Sequence, residues 1–342
     1  MPSVQDSPVP IIDFGLFRNA SSPQQRKQIA EQVFEAFRTV GFVYLINHGI
    51  PVELMDDAFG WAKKFFDMPL EEKMKCPHPP GGEYHRGYSG LGKEKVSQMV
   101  FDKEKLAELR KAPDVKESFE AGSETDPKFP NLWPDAAAIP GFREFCVEYF
   151  TTARKTQMEV MHAIALGMGI DETFFDAYHT DSTNQLRLLH YPPVEESALL
   201  AGEKERIGAH SDFGTITMLA QDACGGLEVE DPHQPGVFRP APPIKGALIV
   251  NIGDFLMRWS NDVLKSTLHR VRAPPPKETD STDVEGAKLR MTPPRYSIPY
   301  FCSANRDTVI DCLPGCWSDT VPKKYEPITA GEYIAMRMNV TY

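Results

Sequence analysis

The apolar positions change period roughly halfway along the chain. In the first half they recur at helical spacing. Ile29, Val33, Phe37 and Val40 lie four and three residues apart, which gives one face of an amphipathic helix. Ser22-Pro23 supplies an N-cap followed by proline at the first helical position, and Gly41 ends the segment. Val52 to Phe66 predicts a second amphipathic helix, stopped near Pro69. Phe142 to Met168 predicts a long third one, apolar at Phe142, Phe145, Tyr149, Ala153, Val160, Ile164 and Met168. Such a face belongs to a core, so His162 on this helix reads as structural. Pro8 to Phe14 and Phe42 to Ile46 predict strands, the second closed by the turn Asn47-His48-Gly49. Lys103 to Lys111 predicts a charged, solvated helix, whereas Cys76 to Ser97 and Asp126 to Pro140, rich in proline or glycine, predict loops.

After Asp181 the pattern shortens. Leu186 to Tyr191, Thr215 to Ala220, Leu227 to Val229, Ala247 to Ile252, Ser266 to Val271 and Tyr296 to Phe301 are strand-like runs separated by turn residues. Helices first and strands later predict a mostly β protein with flanking helices, in which a helical layer packs on an all-β core. No composition break or internal repeat divides the chain. Residues 1–342 therefore read as one domain, with a mainly helical N-terminal region (residues 1–180), a strand-rich core (residues 181–305) and a C-terminal segment (residues 306–342). Pro274 to Pro294 reads as a long exposed loop.

Composition narrows the function classes. With 41% apolar and 25% charged residues in 342, the chain is an ordinary globular one. A net charge of -11 without a basic stripe argues against a nucleic-acid partner. No apolar run reaches the roughly 18 residues of a membrane span, and Met1-Pro2-Ser3-Val4-Gln5-Asp6 has no signal-peptide pattern. The six cysteines are scattered without a Cys-x-x-Cys pair, Cys312 and Cys316 included, which fits reduced thiols in a cytoplasmic protein.

The chemistry concentrates in three places. In Arg206-Ile207-Gly208-Ala209-His210-Ser211-Asp212-Phe213-Gly214, His210 and Asp212 are two apart and share a face if the stretch is a strand. His269 follows within Ser266 to Val271. Two imidazoles and one carboxylate leave open positions on an octahedral Fe(II), as a chelating co-substrate and O2 require. In Pro294-Arg295-Tyr296-Ser297-Ile298, Arg295 and Ser297 again share a strand face, where a guanidinium fork and a hydroxyl suit a carboxylate. The histidines at 48, 78, 85, 179 and 233 read as structural or surface residues.

The order His-x-Asp, His, Arg-x-Ser resembles that of the iron(II)/2-oxoglutarate-dependent dioxygenases, in the branch that contains isopenicillin N synthase. The resemblance extends to Pro10-Ile11-Ile12-Asp13, Gly41 to Gly49, Leu189-His190-Tyr191-Pro192-Pro193 and Asn251-Ile252-Gly253-Asp254. Leu186 to Pro192 and Arg258 to Asp262 are most similar to the family's fungal thymine dioxygenases. The resemblance implies a double-stranded β-helix (jelly roll) core, iron held by His210, Asp212 and His269, and 2-oxoglutarate held by Arg295 and Ser297 near Tyr191. It makes Asn251 and Asp254 parts of an architectural turn. Phe213 stands where the thymine enzymes carry tyrosine. By strand direction Arg187, Phe213 and Phe301 line the substrate pocket, with Arg187 able to reach an acidic or carbonyl group. The expected activity is oxidation, by default hydroxylation, of a C–H bond in a small substrate such as a pyrimidine or a fungal secondary metabolite. It would consume 2-oxoglutarate and O2 and yield succinate and CO2. A 2-oxoglutarate-independent iron oxidase and a non-catalytic metal-binding jelly roll remain open at this point, as does the oligomeric state.

Overall fold

A computed structural model describes residues 7–81, 84–94, 114–274 and 290–338. The helix predicted at Lys103 to Lys111 and most of the loop Pro274 to Pro294 lie outside them. The described strands are β1 (Ile11–Asp13), β2 (Phe42–Ile46), β3 (Gly87–Ser89), β4 (Glu117–Ala121), β5 (Gln185–Tyr191), β6 (Ile207–His210), β7 (Ile216–Gln221), β8 (Leu227–Glu230), β9 (Phe238–Pro240), β10 (Leu248–Ile252), β11 (His269–Val271), β12 (Arg295–Phe301), β13 (Val309–Ile310) and β14 (Ile328–Thr329). An eight-stranded sheet runs β1-β2-β10-β7-β12-β5-β4-β3 and a four-stranded sheet runs β6-β11-β8-β9. Every pairing in them is antiparallel except β1 with β2. This is the jelly roll that the sequence implies.

The large sheet is covered on both faces, which is why its strands read as continuous apolar runs. Along β2, β5, β7, β10 and β12 alternate residues divide between two cores. Val43, Leu45, Leu186, Leu188, Ile216, Met218, Leu248, Val250, Ile298 and Tyr300 join the core shared with the helices. Phe42, Tyr44, Leu189, Tyr191 and Ile249 turn to the other face, towards Ile207, Leu227, Val229 and Val271 of the small sheet. Helix Pro23–Thr39 begins as expected. The Ser22 hydroxyl accepts from the Gln25 amide, with Pro23 in the first turn. It packs on the long helix Phe142–Gly167, where His162 pairs with Asp176 at 2.7 Å.

The structure changes three expectations. The N-terminal region, expected to be mainly helical with two strands, contributes four strands, β1 to β4, to the large sheet. The stretch Cys76 to Ser97 contains β3 within its loops. Strand β4, Glu-Ser-Phe-Glu-Ala, has no strand-like pattern because its charges are paired inside the protein. Glu117 meets Lys73 at 2.9 Å, His190 at 2.8 Å and the Tyr88 hydroxyl at 2.6 Å. The C-terminal segment ends in helix Ala330–Met338, opened by a reciprocal cap between Thr329 and Glu332.

Candidate metal centre and active site

The small sheet carries the two histidines. β6 and β11 pair so that His210 stands opposite His269, with ring centroids 4.2 Å apart. Each Nδ1 faces a backbone carbonyl, Gly208 at 2.9 Å for His210 and Thr267 at 3.3 Å for His269. An N–H donated there leaves the Nε2 lone pair pointing inward. Asp212 joins them by a route the sequence pattern does not foretell. β6 stops at His210, so the two residues do not share a strand face. Asp212 sits in the following turn, which is stitched to β10's end by Asp254 N–H to Asp212 carbonyl at 2.8 Å and Gly253 N–H to Thr215 carbonyl at 2.9 Å. Two glycines make that contact possible. A Cβ on Gly253 would lie 2.3 Å from the Gly214 carbonyl oxygen, and one on Gly214 would lie 2.1 Å from that of Cys302.

The result is a compact donor set. One ligand atom from each of His210, Asp212 and His269 lies within 4.8 Å of the others. Burial, with His269 beside it, pushes the His210 imidazole down to about 3. Burial alone would raise the Asp212 carboxyl. Attraction to the imidazoles when they carry a proton, and hydrogen bonds from Asn251 and Thr217, outweigh it and keep the carboxyl below its ordinary range. A neutral imidazole and a carboxylate are the forms a divalent metal takes up.

Facing this set, odd-numbered residues of β5 and β12 point into one cavity of about 700 Å³. It is lined by all nine residues the sequence singled out: His210, Asp212, His269, Arg295, Ser297, Tyr191, Arg187, Phe213 and Phe301. Register orders them. Arg295 pairs with Tyr191 and Ser297 with Leu189, while Phe301 pairs with Gln185 beyond Arg187. Arg295 is 1% exposed and its guanidinium lies 5.0 Å from the Tyr191 ring centroid. It donates to the Gly225 carbonyl at 3.0 Å and to Ser297 Oγ at 3.2 Å. Among the described residues no acidic side chain pairs with it. A buried guanidinium without a carboxylate, aimed into a cavity, fits an anionic ligand.

At the other end Arg187 differs from expectation. It already holds two carboxylates, Glu94 at 3.1 Å and Glu120 at 3.0 Å, and Lys116 meets Glu94 at 2.9 Å. Its charge is therefore balanced within the protein, which corrects the idea of an arginine open to an acidic substrate. Its guanidinium lies 5.3 Å from the Phe301 ring. His85, also in this wall, is driven down to about 3 by burial and the nearby Arg187.

The roles of several site residues are not visible in the sequence pattern. Asn251, expected to be architectural, donates from Nδ2 to Asp212 Oδ2 at 2.7 Å. Glu94, Glu120 and Lys116 balance Arg187, and Arg337 reaches the centre from the C-terminal helix. The cap signature Thr329-x-x-Glu332 before Tyr333 and Ile334 is the available signal for that helix.

Residues 9–136 match the family of the non-haem dioxygenase in morphine synthesis N-terminal region, and residues 182–304 match the 2OG-Fe(II) oxygenase superfamily. The 2-oxoglutarate-dependent dioxygenase frbA of Dothideomycetidae sp. is 38% identical over 341 residues, covering 98% of this chain and 97% of that one. The chain belongs to the 2OG-Fe(II) oxygenase superfamily. Proline hydroxylase buaE of Petromyces alliaceus is 37% identical over 97% of this chain and 98% of its own. A full-length Neurospora crassa protein, crystallised in complex with alpha-KG and thymine, superposes with a TM-score of 0.86 at 39% identity, covering 100% of this chain and 99% of that one. As a member of this superfamily the protein is a non-haem dioxygenase that requires Fe(II), 2-oxoglutarate and O2 and oxidises a small substrate. Both groups fit the residues present. The converging donors suit Fe(II), and Arg295, with no carboxylate partner among the described residues, suits the 2-oxoglutarate carboxylate.

Proposed function

We propose that His210, Asp212 and His269 hold Fe(II), that Arg295 and Ser297 beside Tyr191 hold the distal carboxylate of 2-oxoglutarate, and that Arg187, Phe213 and Phe301 contact the substrate that is hydroxylated. The observation that carries this reading is the order along one sheet face. Tyr191 and Arg187 are four residues apart on β5, about 13 Å at strand rise. A five-carbon diacid anchored at Arg295 therefore leaves the Arg187 end of the cavity for a second molecule.

When bound, Fe(II) with 2-oxoglutarate and O2 supplies the oxidising power that releases succinate and CO2 and hydroxylates a C–H bond. The chain's own residues position. The Arg295 fork sets the angle of the co-substrate as well as its charge. Phe301 and Phe213 offer apolar faces, and Arg187, whose charge Glu94 and Glu120 already balance, leaves that end of the cavity without an uncompensated charge and so suited to a neutral molecule. No side chain is assigned as a general base. Phe213 in place of the thymine enzymes' tyrosine, together with the size of the cavity, favours a neutral cyclic secondary metabolite over free thymine. Six unpaired cysteines support a cytoplasmic location as part of this proposal.

The test is succinate formation by purified protein with Fe(II) and 2-oxoglutarate over a panel holding thymine, proline and neutral polycyclic metabolites. Turnover with a neutral cyclic carbonyl compound, and loss of iron and turnover together in His269→Ala, are expected. Full iron content in His269→Ala would overturn the metal assignment. Thymine as the best substrate would replace the substrate class.

A further inference from the structure

The C-terminal helix Ala330–Met338 forms part of the cavity wall through Ile334, Ala335 and Met338. Arg337, on the same helix, is fully buried. Its guanidinium carbon lies 4.2 Å from the centroid of the Phe213 ring, the residue after Asp212. Its Nη1 also bonds to Asp254 Oδ2. That same oxygen accepts from the Ser211 hydroxyl at 2.9 Å, and the Asp254 amide donates to the Asp212 carbonyl at 2.8 Å. A single planar group thus grips both sides of the turn Ser211-Asp212-Phe213: the Phe213 ring directly, and the Ser211 hydroxyl and Asp212 peptide through Asp254. A guanidinium has the planar face for the first contact and the N–H edge for the second, whereas an ammonium supplies only the charge.

We propose that Arg337 is a positioning residue that couples docking of the C-terminal helix to the geometry of the metal-ligand turn, so that the substrate wall and the metal centre are set by one side chain. The inference rests on the assignment of His210, Asp212 and His269 as metal ligands. It goes beyond that assignment by making a residue 125 positions after Asp212 in sequence a determinant of metal binding (337 minus 212).

The experiment uses the full chain and Co(II) as a spectroscopic probe of the iron site, read without substrate. Arg337→Met should weaken Co(II) binding about ten- to a hundredfold, as loss of a group supporting a metal ligand does, and should alter the visible Co(II) spectrum. Arg337→Lys keeps a charge for Asp254 but loses the planar contact with Phe213, so it should recover only part of the affinity lost in Arg337→Met, which guards against a result that reflects folding alone. Asp254→Asn should act on the same path, so that the double variant Arg337→Met/Asp254→Asn loses less than the sum of the two. Ile334→Ala, on the cavity side of the same helix, should leave the Co(II) spectrum unchanged. A merely structural role would lower the thermal midpoint of Arg337→Met and leave Co(II) affinity and spectrum unmoved, and that outcome overturns the proposal. If the wild-type chain binds no Co(II), or Asp212→Asn does not abolish its binding, the metal assignment itself fails, which is a separate result.

Discussion

Asn251 and Asp212 are joined by a hydrogen bond of 2.7 Å from the amide Nδ2 to the carboxylate Oδ2. His269 and His210 face the other oxygen, Oδ1, at 3.8 and 4.0 Å. One oxygen is thus tied back to β10 while its twin is turned to the imidazoles. Asn251→Ala should leave the fold intact and weaken Fe(II) binding about ten- to a hundredfold, the usual effect of removing a partner of a ligating carboxylate. Iron content after dialysis against graded chelator is the check. Unchanged retention would show that the backbone and Thr217 orient Asp212 without Asn251.

The turn that presents Asp212 depends on the close approach of Gly253 to Gly214. Gly253→Ala places a Cβ against backbone atoms that have no room to yield, at 2.3 Å from an oxygen and 2.8 Å from a carbon. Forcing the segments apart should destabilise the protein by about 1–3 kcal/mol, as other overpacked positions do, and should reduce metal occupancy with it. Thermal denaturation with and without added metal measures both. A wild-type midpoint with full occupancy would mean the turn adjusts freely.

Much of the fold and of the site is legible in the sequence, and the reason is periodicity. Tyr191, Arg187, Arg295, Ser297 and Phe301 all have odd numbers on strands that pair in register, so period two alone sends them to one face. For His210 and Asp212 the spacing points to the right residues by a partly wrong route: they converge because the chain turns after His210, not because a strand continues. For Asn251 only the motif is legible, not its bond to Asp212, and Glu94 and Arg337 are not legible at all. Their partners, Asp212, Arg187 and Asp254, are distant in sequence and are chosen by tertiary pairing. β4 is hidden for the same reason, since Glu117 and Glu120 look solvated until Lys73, His190 and Arg187 arrive from other segments.

Phe213 lies between the Arg337 guanidinium and the cavity. Phe213→Tyr adds a hydroxyl where position 213 otherwise offers only a ring face, so it should shift preference towards small polar rings without changing iron binding. The measurement is the ratio of kcat/KM for thymine to that for the best neutral polycyclic substrate, with iron content alongside. A rise of about tenfold, worth some 1.4 kcal/mol, is expected from one added hydrogen bond. An unchanged ratio would remove Phe213 from the substrate contacts.

Arg295 decides how the co-substrate is read. Its Nε is committed to the Gly225 carbonyl at 3.0 Å and Nη1 to Ser297 at 3.2 Å, so the fork is fixed in angle before any ligand arrives. The Tyr191 ring, 5.0 Å away, supports it on one side. Arg295→Lys keeps the positive charge but supplies a single compact ammonium with no fork and no planar face. If charge alone recruited 2-oxoglutarate, the substitution would be nearly silent. If the fork sets the angle at which the 2-oxo acid end reaches the metal, one or more charge-assisted bonds are lost. At about 1.5–3 kcal/mol each, that raises the 2-oxoglutarate requirement roughly ten- to a hundredfold. Iron affinity should barely change, because His210, Asp212 and His269 lie on the facing side of the cavity and none is touched. Titrating 2-oxoglutarate against succinate formation, with iron content measured on the same samples, separates the two accounts. A requirement within about twofold of the wild type, well under the roughly tenfold that even one lost charge-assisted bond implies, would leave Arg295 as a source of charge and nothing more.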